Sequence, residues 1–523
     1  MQQTSEQLVT RNPATGEVLA TLNCTPVSEL THLFERAKAA QEKWALLSRS
    51  TRSKYLLDLR ETLIQRVDEI SELISKENGK PKIEALSAEL FPSVDMLTYF
   101  AKHARVVLED QPLKLTLMKH RKSYLNYWPL GVVAVISPWN YPFMLPFGQI
   151  LMALVAGNAV VFKPSEITPL VGLMIKELCD QSGFPKDLIQ VVIGDGSVGA
   201  AVVEQRPAKI FFTGSVATGK KIMSAAAKHL IPVNLELGGK DAMIVLADAD
   251  LDFATSAALW GAFTNSGQVC ASVERLLVDR SISENFSLLL KAKMAQLRQG
   301  PSSTSANDLG PITFEKQKDV YQRHIQQAKD SNAQFIAGGE FIDSDRRYLK
   351  PTLVTGEGIE SLDIYNEESF GPIAALTTFT SVEEAIEKAN RSPYGLLASV
   401  ITRNHSLGEQ IARRLEVGTV IINEVAYTAG LGETPWGGVK ESGFGRSHSL
   451  MGLMEFVNVR HIHKPRSHLF VFKSLWWFPY SAFQYETFRS LLALYKRSWF
   501  EKAKALPIFL WNLIHFLKNE KRL

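Results

Sequence analysis

Residues 132–166 read VVAVISPWNYPFMLPFGQILMALVAGNAVVFKPSE, and the succession of patterns within them decides the fold. Two short runs, Val132 to Ile136 and Ala159 to Phe162, are apolar without alternation, as in strands buried on both faces. Between them the apolar helical stretch Ile150 to Ala156 is closed by Gly157. A strand, a helix and a second strand in this order imply neighbouring parallel strands, because a parallel pair needs a long crossover. The runs Val191 to Ile193, Ile210 to Phe212 and Met243 to Leu246 continue the alternation, and Thr168 with Pro169 opens a helical segment that Gly183 ends. The expected class is α/β, a doubly wound sheet whose ligands lie beyond the C-terminal ends of the strands.

Upstream, Ser28 is placed to cap an amphipathic helix whose apolar positions are Leu30, Leu33, Phe34, Ala37 and Trp44, and helical patterning continues to about residue 108. Leu113 to Trp128 sets Leu115, Leu117, Tyr124 and Tyr127 among polar residues and reads as an antiparallel ribbon. Residues 240–445 repeat the α/β texture and form a second expected domain. A chain of 523 residues exceeds what one hydrophobic core supports. A net charge of +4 on that length does not call for a nucleic-acid partner. The odd, unspaced set Cys24, Cys179 and Cys270 argues against a disulfide framework and for a reducing compartment. The N-terminal MQQTSEQLVTRNPATGE has no basic segment followed by an apolar run, so a cytoplasmic location is expected.

Candidate chemistry gathers at the predicted strand ends. PWN (138–140) and FKPSE (162–166) put an amide, a lysine and a carboxylate at one sheet edge. FTGSVATG (212–219) is a glycine-rich turn into a helix, able to offer backbone amides to a phosphate, although its spacing differs from GxGxxG. ELGGK (236–240) places an acid beside a glycine pair, and GQVC (267–270) a cysteine after a polar turn. Taken singly, Cys270 reads as a buried structural thiol and Glu236 as a surface turn residue. Together with ESFGP (368–372) and PWGGVKESGFGR (435–446), these motifs stand in the order and at the separations found in aldehyde dehydrogenases. The chain resembles that family over about residues 8 to 463.

The resemblance implies a Rossmann-type cofactor domain (1–111 and 130–238), an α/β catalytic domain (239–447), a β-ribbon oligomerisation element (112–129 and 448–464) and an extension (465–523). It assigns Cys270 as the nucleophile, Asn140 as the oxyanion-stabilising amide and Glu236 as the base that hydrolyses a thioester. Trp139, Lys163, Glu166, Gly214, Ser215, Gly219, Glu368 and Phe370 are expected at the cofactor. A carboxylate at Glu166 suits the ribose hydroxyls of NAD and repels the ribose phosphate of NADP. The implied partners are a small-molecule aldehyde and further copies of the chain, as homodimer or homotetramer. No metal is expected: His461 and His463 have no cysteine or carboxylate cluster with them.

Tyr141, Leu145, Gly148, Thr264 and Trp436 are the expected substrate-pocket residues. Relatives acting on acidic semialdehydes carry arginines at the positions of Gly148 and Thr264, so a substrate carboxylate is disfavoured here. The missing side chain at Gly148 is expected to widen the tunnel for a hydrophobic, long-chain aldehyde. Alternatives are a succinate-semialdehyde type of dehydrogenase and a catalytically inactive binding protein. The extension combines Trp, Phe, Lys and Arg in amphipathic segments, and its run Ala505 to Leu517 is too short to span a bilayer. It reads as a membrane-surface anchor on the cytoplasmic face, with packing on its own subunit or a partner as the competing reading.

Overall fold

The computed structural model describes residues 6–302, 307–468, 471 and 474–519. The chain divides into two compact units, Met1–Leu108 with Trp128–Asn458, and Glu109–Tyr127 with Val459–Leu523.

The first unit contains two large sheets. One runs Gly443–Phe444, Val233–Glu236, Lys209–Thr213, Val132–Ile136, Ala159–Lys163, Ile189–Val191, parallel except for the antiparallel edge strand Gly443–Phe444. The strands expected from the apolar runs are its centre, with Val133, Ala134, Val160 and Val161 fully buried. The last strand ends at Val191 rather than continuing to Ile193. There the Ile193 amide donates to Thr25 Oγ1 and its carbonyl accepts from the Thr25 amide, so an N-terminal segment captures the backbone. The helix Met144–Ala156 crosses over between two central strands and ends on Gly157 at φ 102°, a left-handed cap that a side chain would strain.

The other sheet runs Gln334–Ala337, Thr352–Thr355, Ile373–Phe379, Val273–Asp279, Asp241–Val245, Leu397–Ile401, Thr419–Ile422, again parallel but for its first pair. Its two faces bury separate clusters, one around Ile244, Leu277 and Tyr321 and one around Val245, Leu276 and Phe286. The molecule is thus α/β, as its sequence pattern implies. At the N-terminal side, Ser28 does not cap. It lies in a 3-10 turn, Val27–Glu29, begun by the extended Pro26, and the helix Leu30–Ala45 follows, burying Leu30, Leu33, Ala37 and Trp44.

In the second unit Gln111–Leu113 pairs antiparallel with Arg121–Pro129, and Val457–Pro465 is the third strand of that ribbon. The ribbon does not begin at residue 448, because Ser449–Met454 is helical. His463 Nδ1 and Ser123 Oγ are 2.6 Å apart, so this histidine serves the ribbon. Beyond it lie helices Ala482–Ala493 and Trp499–Asn519, packed on each other, the first with a capping box between Ser481 and Gln484. Of the extension expected at 465–523, residues 469, 470, 472, 473 and 520–523 lie outside the described residues. Among the described residues no helix is long and apolar enough to cross a membrane.

Candidate active site

A cavity of about 960 Å³ opens at the C-terminal ends of the first sheet's strands. Ser137 to Asn140 line it after one strand, Lys163 and Glu166 after the next, Phe212 to Ser215 after a third, and Glu236 to Gly238 after a fourth. Cys270, Glu368 and Phe370 line it from the direction of the second sheet.

Asn140 is buried at the start of the turn into Met144–Ala156, and its Nδ2 donates to the Gln268 carbonyl at 3.0 Å. Its own carbonyl accepts from Lys80 Nζ at 2.8 Å and from Asn265 Nδ2 at 3.0 Å. Lys80 is fully buried and pairs at 2.7 Å with Glu89, whose Oε2 accepts from the amides of Phe143 and Met144. A buried ion pair therefore anchors both ends of the turn that carries the amide. Nothing in the sequence pattern singled out Lys80 or Glu89, which sit in a helical region.

Cys270 follows the turn Thr264–Gly267, in which Asn265 and Ser266 are left-handed at φ 48° and 54°. It is half-buried and opens into the cavity. Burial, with Asp241, Glu368 and Glu236 nearby, pushes its thiol pKa well up, so the resting side chain is the thiol. Glu236 ends its strand at 5% exposure, with Oε1 accepting from Ser447 Oγ at 3.1 Å. Burial pushes its carboxyl up to about 8, against the opposing pull of Ser447 and Arg446. A carboxyl in that range can take a proton near neutral pH and return it.

Beyond Cys270 and Glu236 lies a small chamber of about 10 Å³ bounded among others by Leu145, Gln149, Trp436 and His448. His448 is buried and its imidazole is held down to about 4 by desolvation, hence neutral. Leu145 and Trp436 thus stand beside Cys270 and Glu236, whereas Tyr141, Gly148 and Thr264 line neither cavity. The widening expected at Gly148 does not occur: a Cβ there would stand 3.0 Å from Met96 Sδ and 3.4 Å from His448 Nε2, which already fill the space. Tyr141 lies under Lys80 Nζ, 3.8 Å from its ring centre. Thr264 Oγ1 donates to Glu84 Oε1 at 2.7 Å, so the side chain beside it is an acid and not a cation.

On the other side, Lys163 Nζ stands 3.2 Å from Glu166 Oε2, the lysine buried and the glutamate 40% exposed by side chain. Ser215 caps the helix Val216–Ala227, its Oγ accepting from the Thr218 amide, and leaves that helix's N-terminal dipole at the cavity. Gly219 does not line the cavity; a Cβ there would be 2.7 Å from Leu237 Cδ2, so this glycine admits the helix against the strand end. Trp139 meets Phe370 edge-on at 5.5 Å. Glu368 Oε1 accepts from the Gly239 amide at 3.0 Å, and its other oxygen lies 2.1 Å from where a Cβ on Gly238 would stand, so that glycine is required for the approach. Burial raises the Glu368 carboxyl to about 8. The segment Ser369 to Phe370 is held by Glu274, which accepts both amides at 2.8 Å and is itself paired with the buried Lys240. Glu274, Phe314 and Gln317 are site residues that the motifs did not indicate. Among the described residues no cluster of three or more metal-binding side chains occurs.

Residues 1–462 match the family model described as "Aldehyde dehydrogenase family". The chain is 39% identical over 483 residues to a protein of Methylomonas sp named 4,4'-diapolycopene aldehyde oxidase, covering 92% of this chain and 90% of the relative. Among solved structures, an NAD+ complex of an aldehyde dehydrogenase from Bacillus cereus superposes with a TM-score of 0.84 at 33% identity, covering 88% of this chain and 94% of that one. A betaine aldehyde dehydrogenase from Staphylococcus aureus, also with NAD+, gives 0.84 at 30% identity, covering 90% and 93%.

Proposed function

This chain belongs to the aldehyde dehydrogenase family, and from that premise we propose that it oxidises a hydrophobic, long-chain aldehyde to the carboxylic acid with NAD, through a thioester on Cys270. The observation that carries the reading is the meeting of Cys270, Glu236 and the Asn140 turn at one cavity edge.

Cys270 gives up its proton to solvent through the cavity it opens into, and the thiolate forms a bond to the aldehyde carbon while Glu236 stays free to act as base in the later hydrolysis. The Asn140 amide, fixed by Gln268 on one side and by the Lys80 contact on the other, donates to the oxygen as it becomes negative. A nicotinamide dinucleotide held by Lys163, Glu166, Ser215 and Glu368 would supply the hydride acceptor for that carbon, so that the acyl group remains on the Cys270 sulfur. Glu236 then removes a proton from water, whose oxygen attacks the thioester; the acid departs and Cys270 regains its thiol. Lys163, Glu166, Ser215 and Glu368 fit a dinucleotide: a carboxylate for ribose hydroxyls, a helix N-terminus for the pyrophosphate and a second carboxylate beyond it. The exposed Glu166 oxygens favour NAD over NADP by repelling a ribose phosphate.

Two observations favour an apolar substrate. The Methylomonas relative is named for a hydrophobic aldehyde, and Leu145 and Trp436 flank Cys270. Among the described residues the chamber beside Cys270 has no lysine or arginine in its lining, so a distal substrate carboxylate there would lack a cationic partner, which argues against a semialdehyde substrate. We further infer a homodimer or homotetramer and a peripheral membrane contact through residues 465–523. The test is kcat/KM for alkanals of increasing chain length against succinate semialdehyde. A rise with chain length supports the reading, and preference for the semialdehyde overturns it.

A further inference from the structure

The terminal segment of the second unit leaves its largest aromatic side chains outside. Among the described side chains of the two terminal helices, the buried ones are Gln484, Thr487, Ser490, Ala505 and Asn512, all polar or small, with Phe483, Phe488, Leu491 and Leu513 half-buried beside them. Three of them bond internally: Thr487 Oγ1 donates to the Phe483 carbonyl at 2.8 Å, Ser490 Oγ to that of Thr487 at 2.8 Å, and Gln484 Nε2 to those of Leu475 and Trp477. Outward stand Trp476, Trp477, Phe478, Tyr480, Trp499 and Trp511, between 54% and 78% exposed. Leu506, Ile508, Leu510 and Ile514 continue this apolar surface along Trp499–Asn519. A helix pair in water buries large apolar side chains and exposes polar ones; here the largest are outside.

The charges sort the possible occupants. The acidic side chains of the described helices, Glu486 and Glu501, are paired with Arg489 and Lys496. Arg497, Lys502, Lys504 and Lys518 have no ion pair among the described residues. Interfaces between proteins are depleted in lysine, whereas lysine beside tryptophan and tyrosine is the composition of helices lying at the headgroup level of a bilayer. We propose that the helix pair Ala482–Ala493 and Trp499–Asn519 docks flat on an anionic phospholipid surface, its aromatic side chains entering the acyl boundary and its free lysines and arginine meeting lipid phosphates. This rests on the membrane contact inferred above and names its lipid class and mode. The length and composition of Trp499–Asn519 fit lying in the interface and not crossing it.

Full-length enzyme is co-sedimented with vesicles of phosphatidylcholine alone and of phosphatidylcholine with phosphatidylserine, while turnover of a short water-soluble aldehyde reports that the fold is intact. Binding is expected to be at least about 30-fold tighter to the anionic vesicles. Each basic residue contributes roughly fivefold, so Arg497→Gln with Lys502→Gln weakens anionic binding by about 30-fold. Trp499→Ser with Trp511→Ser weakens binding to both vesicle types. Equal binding to both vesicles would overturn the anionic assignment while leaving a membrane contact standing. No binding to either, together with an oligomer that dissociates in the tryptophan variant, would overturn both and make this face a contact between copies.

Discussion

Replacing Ser447 by alanine perturbs the proposed base, Glu236, without touching the proposed nucleophile, Cys270. Ser447 Oγ is the hydrogen-bond donor to Glu236 Oε1, at 3.1 Å, and its bond is the largest influence opposing the burial that holds the carboxyl near 8. A hydrogen bond to a charged acceptor is worth about 1.5–3 kcal/mol, and one pKa unit corresponds to about 1.4 kcal/mol. Losing the bond therefore raises Glu236 by one unit or more. At pH 7 a group near 8 is ionised in roughly a tenth of molecules, and one unit higher in roughly a hundredth. Where thioester hydrolysis limits turnover, Ser447→Ala should lose about tenfold in kcat at pH 7 and recover toward the parent rate as pH rises through the shifted value. The assay is kcat against pH with rapid-quench quantification of acyl-enzyme, whose steady-state level should rise in the variant at pH 7. A rising limb that stays in place or moves to lower pH, or a loss of equal size at every pH, would refute the reasoning.

Other perturbations have equally definite outcomes. Lys80→Met leaves Glu89 buried without its ion-pair partner and should cost about 3–5 kcal/mol in urea unfolding; a loss below about 1 kcal/mol contradicts the anchoring role. Glu236 is raised relative to the unfolded chain, so its contribution to stability is present at low pH and is lost as pH climbs from about 4.5 to about 8. Glu236→Gln should then be more stable than the parent above pH 8, by on the order of 4 kcal/mol, with the difference closing in acid; thermal melts across pH decide this. Glu166→Gln should raise KM for NAD about tenfold and lower that for NADP, since it removes both the charged acceptor and the repulsion; unchanged KM values would remove Glu166 from the ribose site.

Much of this was legible in the sequence because it depends on local pattern. Unbroken apolar runs gave the central strands, and Gly157 marked a helix end that the backbone confirms at positive φ. Asn140, Lys163, Glu166, Ser215 and Glu236 collect at one cavity because strand ends in a parallel sheet share an edge. What escaped reading depends on distant segments meeting. Lys80, Glu84 and Glu89 look like ordinary helix charges until residues 138–144 and 264–265 fold against them. Gly148 suggested space, but Met96 and His448, from two other parts of the chain, fill it. The tail's composition showed aromatic and basic character, whereas which side faces outward required the two helices to be paired. Ser447 is one residue past the last motif and carries no signature, yet its hydroxyl is the donor to Glu236.

The most direct test of the central claim is intact-protein mass spectrometry of the enzyme quenched during turnover of a long-chain aldehyde with NAD. Glu236→Gln should carry one acyl group, mapped by proteolysis to Cys270 and sensitive to hydroxylamine, and Cys270→Ala should carry none and make no acid. Turnover by Cys270→Ala at the parent rate, or an acyl group on another residue, would contradict the account.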